Sequence, residues 1–146
     1  IVQEVPMNRV LVYTDVIMDF LLDREPFASQ SEKIINLCFN KNIKGYTTPV
    51  IISNLYYILR KISTREKVTE KIRNLMSFFD VAPIDKKVIL TALNSEFSDF
   101  EDALQNYAAL SSGNIDFIIT RNIKDYKKSS IGVLTPVEFL KTIYNK

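Results

Sequence analysis

The sequence predicts an α/β fold, a three-layer α/β/α arrangement around a central parallel sheet of about five strands. Three observations point to it. Short apolar runs alternate with longer stretches of helical periodicity along the chain, the pattern of a parallel sheet covered on both faces. Helix-start signals follow several of the runs, with Thr48-Pro49 and Thr135-Pro136 each setting a capping residue before a proline. The 146 residues are 47% apolar and 25% charged, ordinary values for one globular domain that buries a core without disulfides or a structural metal. The domain is read as residues 7–146, with Met7 as the natural start and residues 1–6 as an added or upstream remnant.

Arg9-Val10-Leu11-Val12-Tyr13 is β-branched and apolar and reads as the first strand. Thr14 then reads as an N-cap with Asp15 in the first helical turn, and Val16, Ile17, Phe20 and Leu21 keep helical spacing. Pro26 reads as the N1 residue of a helix that carries Ile34, Ile35, Leu37 and Cys38 to about Asn42. Lys44-Gly45-Tyr46-Thr47 is the next strand, and Thr48-Pro49 opens a long helix with Ile51, Leu55, Ile58, Leu59 and Ile62 on one side. An amphipathic helix from about Arg65 to Phe79 leads to a brief strand, Val81-Ala82-Pro83. Asp85 caps a helix to about Asn94, and Asp99-Phe100-Glu101-Asp102 opens another that ends near Gly113. Asp116-Phe117-Ile118-Ile119-Thr120 and Gly132-Val133-Leu134 are the last strands, and Thr135-Pro136-Val137-Glu138 is a capping box that starts the final helix.

Composition excludes whole classes of chemistry. The chain has no histidine, so it carries no Ser-His-Asp triad, Cys-His dyad or histidine-based zinc site. Three glycines leave no glycine-rich phosphate loop. Cys38 is the single cysteine; its apolar setting reads as a buried small side chain, and the absence of a cysteine pair favours a cytoplasmic location. No apolar run is long enough to span a membrane, and no segment resembles a signal peptide. Carboxylates, hydroxyls, lysines or an oxygen-held metal must therefore carry any catalysis.

In parallel α/β sheets, ligands gather beyond the carboxyl ends of the strands, and acids cluster there. Asp15 and Asp19 lie four apart on one helical face after the first strand; their structural roles would be a dipole partner and a solvated surface acid. Asp99 suits a cap, whereas Asp102 sits beside a largely apolar helical face and suggests a cleft. Thr120-Arg121-Asn122-Ile123-Lys124-Asp125-Tyr126 follows a strand and offers a hydroxyl, an amide and a carboxylate, although Asn122 and Asp125 also suit a tight turn. Converging strand ends would make an oxygen-rich pocket suited to Mg²⁺ or Mn²⁺.

These residues carry a resemblance. Val12 to Phe27, Ser53-Asn54-Leu55-Tyr56-Tyr57-Ile58-Leu59-Arg60-Lys61, Asp99 to Gln105 and Thr120 to Tyr126 occur in the order and separations of a PIN domain. The chain resembles that family, the fold of VapC-type toxin ribonucleases of toxin–antitoxin pairs, from about Arg9 to Leu140. The resemblance implies a five-stranded parallel sheet, a Mg²⁺- or Mn²⁺-binding acidic cluster and cleavage of single-stranded RNA. It implies that Asp102 is the central metal-binding acid and Asp125 the acid near the end of the fourth strand. Asn122 and Thr120 match polar residues around it, and Asp15 the polar residue two after the first acid. Catalysis and metal binding thus fall to Asp102, Asp125 and Asp15, with Asn122 as a further ligand. Thr14, Thr120, Arg121 and Lys124 are the candidate substrate contacts.

Two positions depart from the family. Its first acid falls on Tyr13, whose neutral hydroxyl binds Mg²⁺ poorly. Its glutamate on the following long helix falls on Asn54, which brings a carbonyl and no charge. Asp15, Asp19, Glu101 and Asp99 are available to compensate. Two readings follow: a metal-dependent ribonuclease, the toxin of a type II pair; or a degenerate PIN domain that binds RNA or protein. A receiver-like phosphoacceptor fold with Asp15 as acceptor lacks the following acidic pair.

The net charge is +2. Arg60, Lys61, Arg65, Lys67, Lys71 and Arg73 read as a solvated face, while Arg121, Lys124, Lys127 and Lys128 lie nearer the expected site and suit phosphate contacts. Tyr46, Tyr56 and Tyr57 read as core or dimer packing before base stacking. Expected partners are RNA, an antitoxin and a second copy of the chain, with no membrane.

Overall fold

The computed structural model describes residues 7–127 and 129–144; the remnant reading of residues 1–6 and the phosphate contact expected of Lys128 lie outside them. Its strands are β1 (Arg9–Val12), β2 (Lys44–Thr47), β3 (Phe79–Val81), β4 (Phe117–Ile119) and β5 (Gly132–Leu134). They form one sheet in the order β3-β2-β1-β4-β5, with every neighbouring pair parallel.

The apolar runs become strands because a central parallel strand is covered on both faces. Val10, Leu11 and Val12 of β1 and Ile118 and Ile119 of β4 are all fully buried. Each such aliphatic side chain is worth about 1.5–3 kcal/mol of transfer free energy. Gly45 of β2 fits because Cys38 and Phe79 crowd it: a Cβ there would stand 2.7 Å from both Cys38 Sγ and Phe79 Cε1. Cys38 is buried in this contact, and burial pushes its thiol up to about 12, as expected of an inert packing residue.

The helices are α1 (Thr14–Leu21), α2 (Ala28–Phe39), α3 (Pro49–Arg60), α4 (Arg65–Met76), α5 (Lys86–Leu93), α6 (Phe100–Ser112) and α7 (Pro136–Tyr144). A short 3-10 helix spans Ile123–Tyr126. Right-handed crossovers put α1 to α4 on one face, because β1, β2 and β3 step in one direction across the sheet. The return from β3 to β4 puts α5 and α6 on the other. The contacts agree: α1 packs on α2 and α3, α3 on α4, α2 on α7, and α5 on α6.

Most caps act as read from the sequence. Thr48 Oγ1 accepts from Ile51 N–H, Asp85 from Val88 N–H and Asp99 from Asp102 N–H. Thr135 and Glu138 make the reciprocal capping-box bonds, and Gly113 ends α6 in the left-handed region at φ 79°. Four expectations need correction. Tyr13, not Thr14, is the α1 N-cap, since Thr14 already has helical geometry and Tyr13 is extended. Pro26 does not start α2; it lies in a turn, and the helix begins at Ala28 and stops at Phe39. The fourth helix ends at Met76. The third strand is Phe79–Val81, displaced toward the N-terminus because buried Phe79 anchors it against Gly45. Among the described residues, no helix is long and apolar enough to cross a membrane.

Candidate active site

The sheet order reverses at β1: the chain leaves it toward β2 and returns on its other side at β4. Such a switch point opens a crevice beyond the carboxyl ends of the two strands. Tyr13 and Asp15 follow β1, Thr120 to Asp125 follow β4, and the first turn of α6 adds Asp99, Glu101 and Asp102. Asn54 joins from α3. The strand ends thus gather most of the sequence-predicted residues into one region.

Asp102 is at its centre. Only 5% of it is exposed, and its Oδ1 accepts from Tyr13 Oη at 3.0 Å and stands 3.4 Å from Tyr126 Oη. The two phenol rings meet edge to face, with centroids 6.2 Å apart. Burial pushes the Asp102 carboxyl up to about 6, and the negative charges of Asp99 and Asp125 push the same way, while the Tyr13 and Tyr126 hydroxyls pull down. Burial and the adjacent acids raise both phenols above their ordinary range, so they stay neutral donors.

The two departures from the family's acids share one chemistry, since both side chains donate to acids of α6. Tyr13 Oη reaches Glu101 Oε1 at 3.3 Å as well as Asp102, and Asn54 Nδ2 donates to Glu101 Oε1. Carboxylates at positions 13 and 54 would repel Asp102 and Glu101 and call for a cation. The phenol and amide supply hydrogen-bond donors instead.

Asp15 faces another way. Its Oδ2 accepts from Thr120 Oγ1 at 3.0 Å and Arg121 N–H at 2.9 Å, and its Oδ1 accepts from Val16 N–H at 2.8 Å. Burial raises its carboxyl pKa, and the bonds from Arg121 and Thr120 oppose the shift. Asp15 therefore braces the start of α1 against the segment after β4. Thr120 is fully buried in this bond and Thr14 is buried as well, so neither is open to the substrate contact expected of it. Asn122, Lys124 and Asp125 are exposed at its rim.

Asp19 is not a solvated surface acid. It is fully buried, with Arg121 Nε and Nη2 at 2.7 and 3.2 Å and Arg24 Nε at 3.1 Å. Arg121 also lies over the Phe27 ring, 4.0 Å from its centroid. Its guanidinium is thus committed to Asp19 and Phe27 and is a poorer free phosphate anchor than the sequence suggested. Sequence reasoning missed Tyr126, Phe27 and the partners of Asp19. The usable signal was the four-residue spacing of Asp15 and Asp19, which puts both on the inward side of α1.

Among the described residues, no three acids, cysteines or histidines come close enough together to hold a metal ion. Asp102 Oδ2 and the Asp125 carboxylate carry no hydrogen bond among those residues. Tyr46 is buried, as expected of core packing, whereas Tyr57 is 66% exposed. Arg60, Lys61, Arg65, Lys67, Lys71 and Arg73 are exposed.

Comparisons with known proteins agree with this architecture. A PIN domain family model matches residues 9–124. Ribonuclease VapC1 of Aquifex aeolicus strain VF5 is 28% identical over 140 residues, covering 91% of this chain and 95% of that protein. Among solved structures, a toxin–antitoxin complex from Klebsiella pneumoniae has a chain that superposes with a TM-score of 0.66 at 18% identity, covering 87% of this chain and 97% of that one. A chain of VapBC2 from Rickettsia felis, bound to a DNA fragment from its promoter, gives 0.63 at 16% identity, covering 86% and 97%. At these identities the structures speak for the fold alone, but the family model spans most of the sequence. The chain belongs to the PIN domain family.

Proposed function

We propose that this chain is a PIN-family endoribonuclease, the toxin of a type II toxin–antitoxin pair, acting on single-stranded RNA in the cytoplasm. One observation carries the reading: buried Asp102 lies by the β1/β4 switch point and feels the negative charge of Asp125, in a fold shared with a ribonuclease and with toxin–antitoxin proteins. The toxin–antitoxin neighbours support an antitoxin as the protein partner. A homodimer is proposed with it, through the α3 face that carries exposed Tyr57 and Ile58.

The donor set around Asp102 is all oxygen, and its carboxyl is held up by burial and by the charges of Asp99 and Asp125. A divalent cation held there would relieve that crowding. Mg²⁺ commonly takes only one or two protein carboxylates, with water and substrate phosphate completing its shell. Asp102 and Asp125 are the groups that would hold Mg²⁺ or Mn²⁺, with the Asn122 carbonyl beside them. When bound, the ion supplies Lewis acidity to water and to the phosphodiester. The chain's own part is positional. Tyr13 and Tyr126 orient Asp102, Asp15 and Thr120 brace the segment that carries Asp125, and Lys124 offers a charge for the RNA backbone. Cleavage of an unstructured RNA with Mn²⁺ tests this: Asp102→Asn should abolish it, and unchanged cleavage by the variant would overturn the assignment.

The donors at positions 13 and 54 favour a second reading. They satisfy Asp102 and Glu101 without a cation, which supports a PIN domain that binds RNA or protein without cutting. Tyr13→Asp separates the two. Cleavage by the variant alone would mark a nuclease silenced at one position. Cleavage by both would support the first reading, and cleavage by neither the binding module.

A further inference from the structure

Against the segment that follows β4, a cavity of about 380 Å³ is lined by Phe27, Gln30, Arg121, Asn122, Pro136 and Val137. We infer that this cavity seats one base of the bound RNA, stacked in the plane system of Arg121 and Phe27, while the neighbouring phosphate lies at the acids. The inference rests on the RNA reading above.

The wall is built for a flat, neutral ligand. Asp19 is fully buried and holds two guanidinium nitrogens of Arg121, which fixes the plane of that group and offsets its charge. Phe27 lies against the guanidinium at 4.0 Å and is 38% exposed. Arg121 keeps 31% of its side chain exposed and lines the cavity. A guanidinium plane beside an aromatic ring is a surface on which unstacked bases lie. Gln30 supplies an amide donor and acceptor of the kind that reads base edges, and Pro136 and Val137 close the apolar side. Among the described residues, no carboxylate lines the cavity, so the stacked base itself meets no acid. The volume falls in the range of small-molecule sites, about 300–1,000 Å³.

The segment after β4 carries both a wall of the cavity and Asp125. Arg121 directly follows buried Thr120, its backbone N–H bonds Asp15 at 2.9 Å, and Asn122 lies three residues before Asp125. One strand of RNA following this segment would meet the acids and the cavity in succession.

The test is fluorescence anisotropy in EDTA with a fluorescein-labelled single-stranded RNA hexamer, intact or carrying one abasic ribose at each position in turn. Bases stack on such platforms strongly enough that one abasic position should cost the wild type roughly ten-fold or more in Kd. Val137→Trp fills the cavity from a residue that is 47% exposed, and thermal melting checks its fold. It should bind the intact hexamer about ten-fold more weakly and lose the abasic discrimination; Gln30→Leu should do the same to a smaller degree. Wild-type affinity in Val137→Trp, or an abasic penalty that persists in it, would overturn the inference. So would a wild type that no single abasic position affects, or one that binds no hexamer. Mn²⁺-dependent cleavage of the intact hexamer is scored in parallel. Cleavage without an abasic effect removes the base site and leaves the ribonuclease reading standing; neither cleavage nor binding removes both.

Discussion

Asp19 and Asp102 are almost equally buried, at 0% and 5% exposure, and their surroundings are opposite. Asp19 is held by two arginines, so its charge is matched within the fold. Asp102 has two neutral phenols as donors and two further acids as electrostatic neighbours. Burial alone therefore does not mark a functional acid. The sign of what surrounds it does: one carboxylate is spent on holding Arg121, and the other is left with charge that a ligand can neutralise.

The contrast breaks most visibly at Asp19. Asp19→Ala leaves Arg121 and Arg24 without their counter-ion. Losing one member of a buried pair costs about 3–5 kcal/mol. Here the arginines keep 31% and 44% of their side chains exposed, so solvent screening lowers the expectation to about 2–3 kcal/mol. Urea unfolding measures it, and a loss under about 1 kcal/mol would deny Asp19 its structural role. Arg24→Ala, at the more exposed partner, should cost under about 1 kcal/mol.

Asp102 should behave in the opposite sense. Its carboxyl titrates at about 6 in the fold, above the unfolded value of about 3.9. The folded chain thus takes up the proton first as the pH falls. The stabilising contribution of Asp102 is complete below about pH 4 and is lost as the pH rises through 6. Asp102→Asn, neutral at every pH, should be at least as stable as the wild type at pH 8, with a relative advantage that shrinks toward pH 5. Melting temperatures of both proteins at the two pH values decide it; a variant much less stable at pH 8 would mean that the ionised carboxylate is a structural asset.

The same contrast explains what the sequence reveals. Parallel strands, most caps and the acid-bearing strand ends are legible because they follow local rules, as Thr48-Pro49, Asp85 and Thr135-Pro136-Val137-Glu138 illustrate. Pro26 misleads because a proline near a helix start fits a turn as well as N1. The role of Asp19 is illegible because its partner Arg121 is 102 residues away, and periodicity gives the face of a helix without what covers it. Tyr13 is readable as a substitution, but its bond to Asp102 depends on how β1 and α6 meet. Whether the acids bind metal is a question about distances, which sequence order does not contain.

The finest probe of the comparison is Tyr13→Phe, which keeps the ring and removes one hydroxyl. That hydroxyl donates to Asp102 Oδ1 at 3.0 Å and pulls the Asp102 pKa down against burial. Without it, the carbon-13 carboxyl resonance of Asp102 should titrate at a higher pH than in the wild type. The stability loss should be only about 0.5–1.5 kcal/mol, one hydrogen bond's worth, because the phenol ring keeps its packing against Tyr126. An unmoved titration would mean that Tyr13 packs without bonding Asp102, and the donor logic shared by Tyr13 and Asn54 would fail with it. A shifted titration would place the control of Asp102 in this hydroxyl. It would then be Tyr13 that sets how readily the buried acid meets a cation.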